Sequence, residues 1–263
     1  MGMGVLVGSL LQIFVNINLS KQSNLSNAFS INEINRRGKK LRSKLDLSTY
    51  DKEIENLSSK WQYLASLHAD LDVGAYLISI DNKEFAEFES EKVLSAASTI
   101  KIPILLLTLE MLDHKELDWD EELRLEQELI GGGSGWMAYE KPGTLFAIHE
   151  IASEMIRISD NTATNLLINR IGGIKVINNR LKEIGLENTQ LNNLLPDLQG
   201  TNTTTPKDLA LSIEIVESGK FLSNRSRDLF REVMGSSLSN NLLPAGILKG
   251  LGESQENIDK GLL

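Results

Sequence analysis

The sequence contains no cysteine and has only three histidines among its 263 residues. The absence of cysteine excludes a disulfide framework, a thiolate metal site and a cysteine nucleophile. His68, His114 and His149 are far apart, and no acidic cluster at metal-binding spacing accompanies them. We therefore expect no metal ion and no other cofactor.

Proline is sparse as well, at five residues, whereas 41% of the chain is hydrophobic and 24% is charged. This composition is that of an ordinary globular protein and excludes a collagen-like, fully disordered or multi-span membrane chain. The formal net charge is −9, and residues 51–263 hold 20 Lys/Arg against 34 Asp/Glu. We expect no nucleic-acid partner, because binding to phosphates requires a positive face.

The first 50 residues differ from the rest. Residues 1–20 carry no charge and are mostly apolar, which favours a signal or membrane anchor over a buried amphipathic helix. Residues 21–49 are interpreted as a polar basic linker, which is either a solvated tether or a juxtamembrane segment attracted to anionic headgroups. A signal or anchor would make the protein periplasmic or otherwise extracytoplasmic, either secreted or anchored.

The globular part is expected to span residues 50–263. Hydrophobic spacing predicts an amphipathic helix over 51–69, and strands over 73–79 and 85–90 that form an antiparallel hairpin. Further helices are predicted at about 99–114, 146–157, 161–170, 174–184, 206–218 and 222–234. Gly172, Gly185 and Gly219 follow helix ends, where a left-handed residue is favourable.

Ser98 and Lys101 form an S-x-x-K pair at the start of a predicted apolar helix. This spacing places both side chains on one helix face. A serine hydroxyl needs a nearby base to become a nucleophile, and a lysine whose pKa is lowered by burial can supply one. The motif is weak alone, and the alternative is a serine near a helix start followed by a lysine that extends to solvent.

Two further polar segments follow the helix that carries the S-x-x-K pair. Ser159-Asp160-Asn161 opens a predicted helix and could be no more than a helix cap. The GGGSG run at 131–135 lacks the residues of a phosphate loop and the spacing of a nucleophile elbow, so we interpret it as a flexible loop. S-x-x-K followed in order by S-D-N, however, is typical of class A β-lactamases and penicillin-binding proteins.

Residues 50–247 resemble the class A β-lactamases. Five landmarks occur in family order: SAASTIKIPILL, GGGSG, KPGTLFAIHEIASEMIRISDNTATNLLINRIGG, TNTTTPKDLA and NNLLPAG. The resemblance implies an α/β (α+β) fold in which an all-helical subdomain packs beside an antiparallel sheet. It also implies a β-lactam or a peptidoglycan-peptide-like small molecule as substrate and, for a complete fold, a monomer.

The resemblance further implies a role for each motif residue. Ser98 would be acylated by the β-lactam carbonyl, and Lys101 would take part in proton abstraction. Ser159 would relay a proton to the leaving nitrogen, and Asn161 would bind the side-chain amide of the substrate. Trp136 is similar to an aromatic residue that gates the pocket in the family, with a plain loop anchor as the alternative.

The loop that should hold the deacylating base departs from the family pattern. Class A enzymes carry a glutamate there that activates the hydrolytic water. Alignment of residues 188–206 with that loop puts Leu195 in its place, and Asp197 is the nearest carboxylate. A leucine cannot act as a base, so two readings stay open: a β-lactam hydrolase, or a penicillin-binding-protein-like protein that is acylated and turns over poorly.

The end of the sequence departs as well. Family members carry K-T-G or K-S-G on a strand after the NNLLPAG landmark, whereas here Lys260-Gly261 lacks the intervening Ser or Thr. We therefore expect a domain that is incomplete at its C-terminus, without the last strands and helix. Exposed strand edges would then favour association, and an inactive truncated homologue becomes a third reading.

Overall fold

The structure is a computed structural model that describes residues 50–238 together with Ala245 and Gly246. The predicted anchor at 1–20, the linker at 21–49 and the Lys260-Gly261 segment lie outside the described residues. No helix in the described part of the chain is long and apolar enough to cross a membrane.

A three-stranded sheet forms one side of the domain. Strands β1 (Lys52–Glu53), β2 (Ala75–Ser79) and β3 (Glu84–Phe88) are arranged in the order β1-β3-β2. The predicted antiparallel hairpin is confirmed as β2 and β3, with Leu77 opposite Ala86.

The first predicted helix begins later than expected. Residues 52–53 pair in parallel with β3, and the Ile54 N–H bonds to the Phe85 carbonyl at 2.7 Å. Because residues 52–54 form hydrogen bonds to β3, they cannot be helical, and helix α1 spans Glu55–Ser66 rather than starting at residue 51. The strand is too short for its sequence to show a periodicity.

Six further helices form the predicted all-helical part. They are α2 (Lys101–Asp113), α3 (Ile148–Arg157), α4 (Asn161–Arg170), α5 (Gly173–Glu183), α6 (Pro206–Glu217) and α7 (Asn224–Gly235). Gly172, Gly185 and Gly219 have φ values of 106°, 94° and 65°, which confirms the predicted left-handed positions between helices. The mixed α and β fold class is thus as expected.

Helix α2 is the centre of the helical part. Its residues from Pro103 to Glu110 are buried, and it packs against α3, α4, α5, α6 and α7. A helix that is apolar all round is stable only when other elements surround it. The sheet is joined to this core through α6, which packs on β2, while α1 packs on β3. The tight surroundings fix the position of the first turn of α2, which carries the S-x-x-K motif.

Two short antiparallel strand pairs join loops of the described chain. Strand β4 (Leu94–Ser95) pairs antiparallel with β7 (Thr203–Thr204), and β5 (Glu122–Arg124) pairs with β6 (Leu145–Ala147). The Ala96 N–H also bonds to the Asn202 carbonyl at 2.7 Å. The segment before Ser98 is therefore held against the end of the loop that contains Leu195.

Candidate active site

Ser98 lies in a 3-10 turn, Ala97–Ile100, that leads directly into α2. Ala97 has a φ of 43°, a left-handed conformation that is costly for a residue with a Cβ. Ser98 is exposed, whereas Lys101, one turn further on, retains 2% of its accessible surface. The turn thus presents a hydroxyl to solvent and buries the lysine behind it.

The second motif reaches the same place from the loop between α3 and α4. Ser159 also has a left-handed backbone, with a φ of 61°. Asp160 is fully buried and caps α4 by accepting a hydrogen bond from the Ala163 N–H at 2.9 Å. The helix cap that the sequence allowed is therefore present, and it also fixes the two flanking residues.

The structure brings four of the five predicted site residues together around the Lys101 ammonium. Lys101 Nζ lies 2.6 Å from the Ser159 carbonyl oxygen, 2.8 Å from Ser159 Oγ, 3.0 Å from Asn161 Oδ1 and 3.4 Å from Ser98 Oγ. Ser159 Oγ lies 2.8 Å from Ser98 Oγ. The short contacts run from Ser98 to Ser159 and on to Lys101, whereas the direct contact from Ser98 to Lys101 is long.

Burial lowers the pKa of Lys101 from its ordinary value to about 8, although the nearby Asp160 carboxylate raises it. Desolvation disfavours the charged amine, and a single carboxylate compensates for part of that effect. At pH 7 about one tenth of the lysine is then an uncharged amine with a free lone pair, and about half is at pH 8. Such an amine can accept a proton.

The hydrogen-bond partners of the Lys101 amine allow it to accept a proton without moving. The Ser159 carbonyl and Asn161 Oδ1 are pure acceptors, and they take two amine hydrogens. The third partner, Ser159 Oγ, is a hydroxyl that can accept from an ammonium or donate to a neutral amine. A proton can therefore move from Ser98 through Ser159 to Lys101 without a change of partners.

The GGGSG segment lies beside Asn161 and is held by hydrogen bonds from the first turn of α4. Asn161 donates from its N–H to the Ser134 carbonyl at 3.1 Å and from Nδ2 to the Gly132 carbonyl at 2.9 Å. A Cβ at Gly135, where φ is 93°, would overlap the Asp160 carboxylate. The segment is irregular, as expected, but its hydrogen bonds to α4 replace the interpretation of a flexible loop.

Trp136 directly follows the GGGSG segment. Its indole N–H donates to Glu154 at 2.7 Å, and its ring packs edge-on against Phe146 at 5.8 Å between centroids. Arg157 donates to the same Glu154 carboxylate and holds the pKa of that group below its usual range. These contacts fix the ring within its own loop, and the predicted role of Trp136 as a gate stays a prediction.

The loop with Leu195 is fixed by an amide that sequence reasoning missed. Asn165 Oδ1 accepts from the Leu195 N–H at 2.8 Å, and its Nδ2 donates to the carbonyls of Leu195 at 2.7 Å and Leu129 at 3.2 Å. The available signal was its position one helical turn after Asn161, on the same face of α4. Leu195 itself is 6% exposed.

Asp197, the nearest carboxylate in this loop, is already engaged. One oxygen accepts from the Asn202 N–H at 2.6 Å, and the other accepts from the Thr201 hydroxyl at 3.0 Å. These contacts close the loop on itself. They leave the carboxylate in a structural role, because a general base must be free to reach the attacking water.

Two serines and a buried lysine within hydrogen-bond distance of one another are the side chains that acyl transfer through a serine requires. The comparisons with known proteins agree with this class. A model described as "Beta-lactamase enzyme family" matches residues 52–253. The chain belongs to this family.

Curated relatives and solved structures are consistent with that assignment. The chain is 28% identical over 201 residues to beta-lactamase BRO-1 of Moraxella catarrhalis, covering 71% of this chain and 64% of the relative. It is 23% identical to beta-lactamase ROB-1 of Haemophilus influenzae, covering 74% and 63%. The chain thus spans a little under two thirds of the length of these relatives.

Among solved structures, PBP-A is 41% identical with a TM-score of 0.73, and the match covers 74% of each chain. A leucine-to-glutamate mutant of PBP-A, in an acyl-enzyme complex with penicillin G, is 40% identical with a TM-score of 0.72 over the same share of each chain. A β-lactamase from Sphaerobacter thermophilus is 25% identical with a TM-score of 0.60, covering 67% of this chain and 68% of its own. The fold expected from the sequence is confirmed.

Proposed function

We propose that this protein is a class A β-lactamase-like serine hydrolase that β-lactams acylate at Ser98 and that releases the acyl group slowly. The observation that carries the proposal is the chain of two 2.8 Å contacts from Ser98 Oγ through Ser159 Oγ to the buried Lys101 Nζ. It supplies the base without which a serine hydroxyl is a weak nucleophile.

Acylation follows from this geometry. Lys101, as the neutral amine, takes the hydroxyl proton of Ser159 while Ser159 takes that of Ser98. Ser98 Oγ then attacks the lactam carbonyl carbon, and the C–N bond of the strained ring breaks. Ser159 gives its proton to the leaving nitrogen and regains one from Lys101. The backbone N–H of Ser98, at the start of the turn, is one proposed donor to the developing oxyanion.

Recognition of the substrate is assigned to Asn161. One hydrogen of its Nδ2 is committed to the Gly132 carbonyl at 2.9 Å. In the described residues the second hydrogen has no acceptor, so it is available to the side-chain carbonyl of a bound β-lactam or of a peptidoglycan-like peptide. Because the group is mostly buried, such a bond would be made away from competing water.

The part of the loop that the structure describes offers no free base for deacylation. Leu195 stands where the family places its glutamate, and Asp197 has both carboxylate oxygens occupied within its own loop. Without a group to activate water, hydrolysis of the ester at Ser98 loses the contribution of general base catalysis, typically 10²- to 10⁴-fold. Slow release is therefore part of the proposal.

The second candidate is a penicillin-binding-protein-like binder that is acylated and does not turn over. The same loop favours it, and so does the 41% identity to PBP-A. Both candidates share acylation at Ser98 and differ only in the lifetime of the acyl-enzyme. A truncated, inactive homologue would show neither acylation nor turnover.

Sequential exposure of the purified protein to a dye-labelled penicillin and then a chromogenic cephalosporin separates these functions. We expect a covalent label that Ser98→Ala abolishes, together with measurable but slow cephalosporin turnover. A stable label with no turnover would replace the hydrolase by the binder. Absence of both label and turnover would leave the inactive homologue.

We also propose that the protein acts outside the cytoplasm, as the apolar residues 1–20 indicate, and that it lowers the susceptibility of its host to penicillins. Peptidoglycan and its β-lactam mimics are encountered there. Fractionation of cells that express the full chain, with the dye-labelled penicillin as probe, should place the label in the periplasmic or membrane fraction. Label confined to the cytoplasm would refute this location.

A further inference from the structure

Asp208 is a buried carboxylate that the proposed mechanism does not use. It lies in the first turn of α6 and retains 4% of its accessible surface. The adjacent Lys207 pairs with Glu91 rather than with this group. Burial raises the pKa of Asp208, although hydrogen bonds from Thr189 and from nearby backbone N–H groups lower it. Burial of such a group is costly, and ionisable groups with perturbed pKa values cluster at functional sites.

The Asp208 carboxylate holds the first residues of the loop that contains Leu195. Its Oδ2 atom accepts from the Asn188 N–H at 2.9 Å and from the Thr189 hydroxyl at 2.8 Å. Thr189 Oγ1 in turn lies 2.9 Å from Thr204 Oγ1, at the other end of the same loop. Since Thr189 donates its hydrogen to the carboxylate, it accepts from Thr204. One carboxylate oxygen therefore joins both ends of the loop.

The two loop ends that Asp208 joins continue directly into backbone pairing. Gln190 and Thr203, the next residues inward, exchange two backbone hydrogen bonds of 2.8 and 2.9 Å. On its other side, Thr203 lies opposite Ser95 in the pairing of β7 with β4. Strand β7 is therefore the middle of three paired segments, and the hydroxyls bound to Asp208 lie at one end of this ladder.

The ladder leads into the turn that carries the nucleophile. The Ala96 N–H bonds to the Asn202 carbonyl at 2.7 Å, and β7 packs on the 3-10 turn that contains Ser98. Ala97 has a φ of 43°, a conformation that persists only where the surrounding structure imposes it. A looser ladder would allow Ala97 to relax and Ser98 Oγ to leave its 2.8 Å contact with Ser159 Oγ.

We propose that Asp208 is a positioning residue for acylation: it holds the two ends of the Leu195 loop together and so fixes the ladder that keeps Ser98 within reach of Ser159. The inference rests on the proposed acylation at Ser98 and adds to it a residue outside the S-x-x-K and S-D-N motifs. A displacement of about 1 Å at a reacting group lowers a rate by up to about a hundredfold.

The test measures two quantities for the full chain with benzylpenicillin, by intact-protein mass spectrometry after rapid quenching: the limiting rate of acylation and the concentration that gives half of it. For Asp208→Ala we expect the limiting rate to fall about tenfold or more and the half-saturating concentration to change less than about threefold, because the substrate contact of Asn161 is retained. Asp208→Asn keeps an oxygen that can accept from Asn188 and Thr189, so it should restore most of the rate.

Thr189→Val tests the same connection with a milder change. It keeps the shape of the side chain and removes the hydroxyl that links Asp208 to Thr204. We expect the limiting rate to fall about threefold or more. The same substitution should have little further effect in Asp208→Ala, because both changes break one chain of hydrogen bonds.

Asp113→Ala is the matched control. Asp113 ends α2, about 20 Å along the helix from Lys101. It accepts from the Ser223 N–H at 2.6 Å and from the hydroxyls of Ser223 and Ser226 at 2.5 and 2.6 Å. The control thus loses at least as many hydrogen bonds as Asp208→Ala, and it should keep the limiting rate.

Circular dichroism identifies the variants that are folded at the assay temperature. An unchanged limiting rate in folded Asp208→Ala or Thr189→Val, or an equal fall in Asp113→Ala, would overturn the role of Asp208 and leave the proposed function intact. Absence of any adduct in the unmodified protein would instead overturn the proposed function, and the inference with it.

Discussion

The site concentrates its unusual chemistry in Lys101, a cation placed at the N-terminal end of the most apolar helix of the domain. Its nitrogen makes three hydrogen bonds, to the carbonyl and hydroxyl oxygens of Ser159 and to Asn161 Oδ1, and one long contact with Ser98 Oγ. The nearby Asp160 carboxylate caps α4. Among residues 50–238, no carboxylate forms a salt bridge with this ammonium. The lysine is thus poised between its two protonation states rather than fixed as a cation.

Acylation should therefore depend on pH through Lys101. The pKa of this group is lowered to about 8, and only the neutral amine can accept a proton, so the rate should rise with pH and level off above about 8. Well below that pKa the rate should fall about tenfold per pH unit. Stopped labelling with dye-labelled penicillin between pH 6 and 9.5 measures the profile.

Two variants establish which group the profile reports. Lys101→Met should remove the pH dependence along with most of the rate, whereas Ser159→Ala should slow acylation and keep the midpoint near 8. A flat profile in the unmodified protein, or a midpoint that survives in Lys101→Met, would rule out Lys101 as the base.

Leu195 allows a gain-of-function test. Its backbone N–H and carbonyl are both held by Asn165, and these two hydrogen bonds do not depend on the identity of the side chain. We expect Leu195→Glu to shorten the lifetime of the acyl-enzyme about tenfold or more by supplying a base for water. The decay of the dye label after removal of free penicillin measures this lifetime.

Leu195→Gln is the isosteric control without a base, and it should leave the lifetime close to that of the unmodified protein. Equal acceleration by Glu and Gln would mean that polarity or loosening of the loop, rather than a carboxylate, controls deacylation.

At the level of elements, the first turns of α2 and α4 assemble the site. The 3-10 turn Ala97–Ile100 supplies Ser98, the start of α2 supplies Lys101, and α4 supplies Asn161 together with the side chains that hold two loops. Burying this many polar groups at one helix start is favourable only because each has a partner.

Asn165, which joins α4 to the loop that contains Leu195, is the residue to test at this level. Asn165→Ala would leave the Leu195 N–H and the carbonyls of Leu195 and Leu129 buried without these bonds, which should lower the free energy of unfolding by about 2–4 kcal/mol. Urea denaturation measures the change, and limited proteolysis should show earlier cleavage within residues 188–206.

Asn192→Ala is the control: it removes an exposed asparagine of the same loop and should lower the free energy of unfolding by less than about 1 kcal/mol. Equal losses in the two variants would show that Asn165 has no special role in holding the loop.

For the whole molecule, the helical part was predictable because its signals are long and local. All seven predicted helices are present, with ends that differ by a few residues, and the α2 pattern and the glycine ends are visible in the sequence alone. The hairpin was equally clear from alternation. The two-residue strands β1, β4 and β7 were not predictable, because partners distant in sequence create them and two residues carry no period.

The site was predictable to the extent that its residues share a motif. Ser98, Lys101, Ser159 and Asn161 meet as the spacing and the resemblance implied, whereas the role of Asn165 depends on tertiary contacts that no short pattern records. The hydrogen bond from the Trp136 indole to Glu154 is likewise a tertiary contact that the motif does not specify.

The most direct test of the account is the mass of the intact protein after incubation with benzylpenicillin. We predict one adduct per molecule with the mass of the whole penicillin, located by peptide mapping on the peptide that contains Ser98, lost in Ser98→Ala and slow to disappear. An adduct that persists in Ser98→Ala, or an unmodified mass with no loss of penicillin, would contradict it.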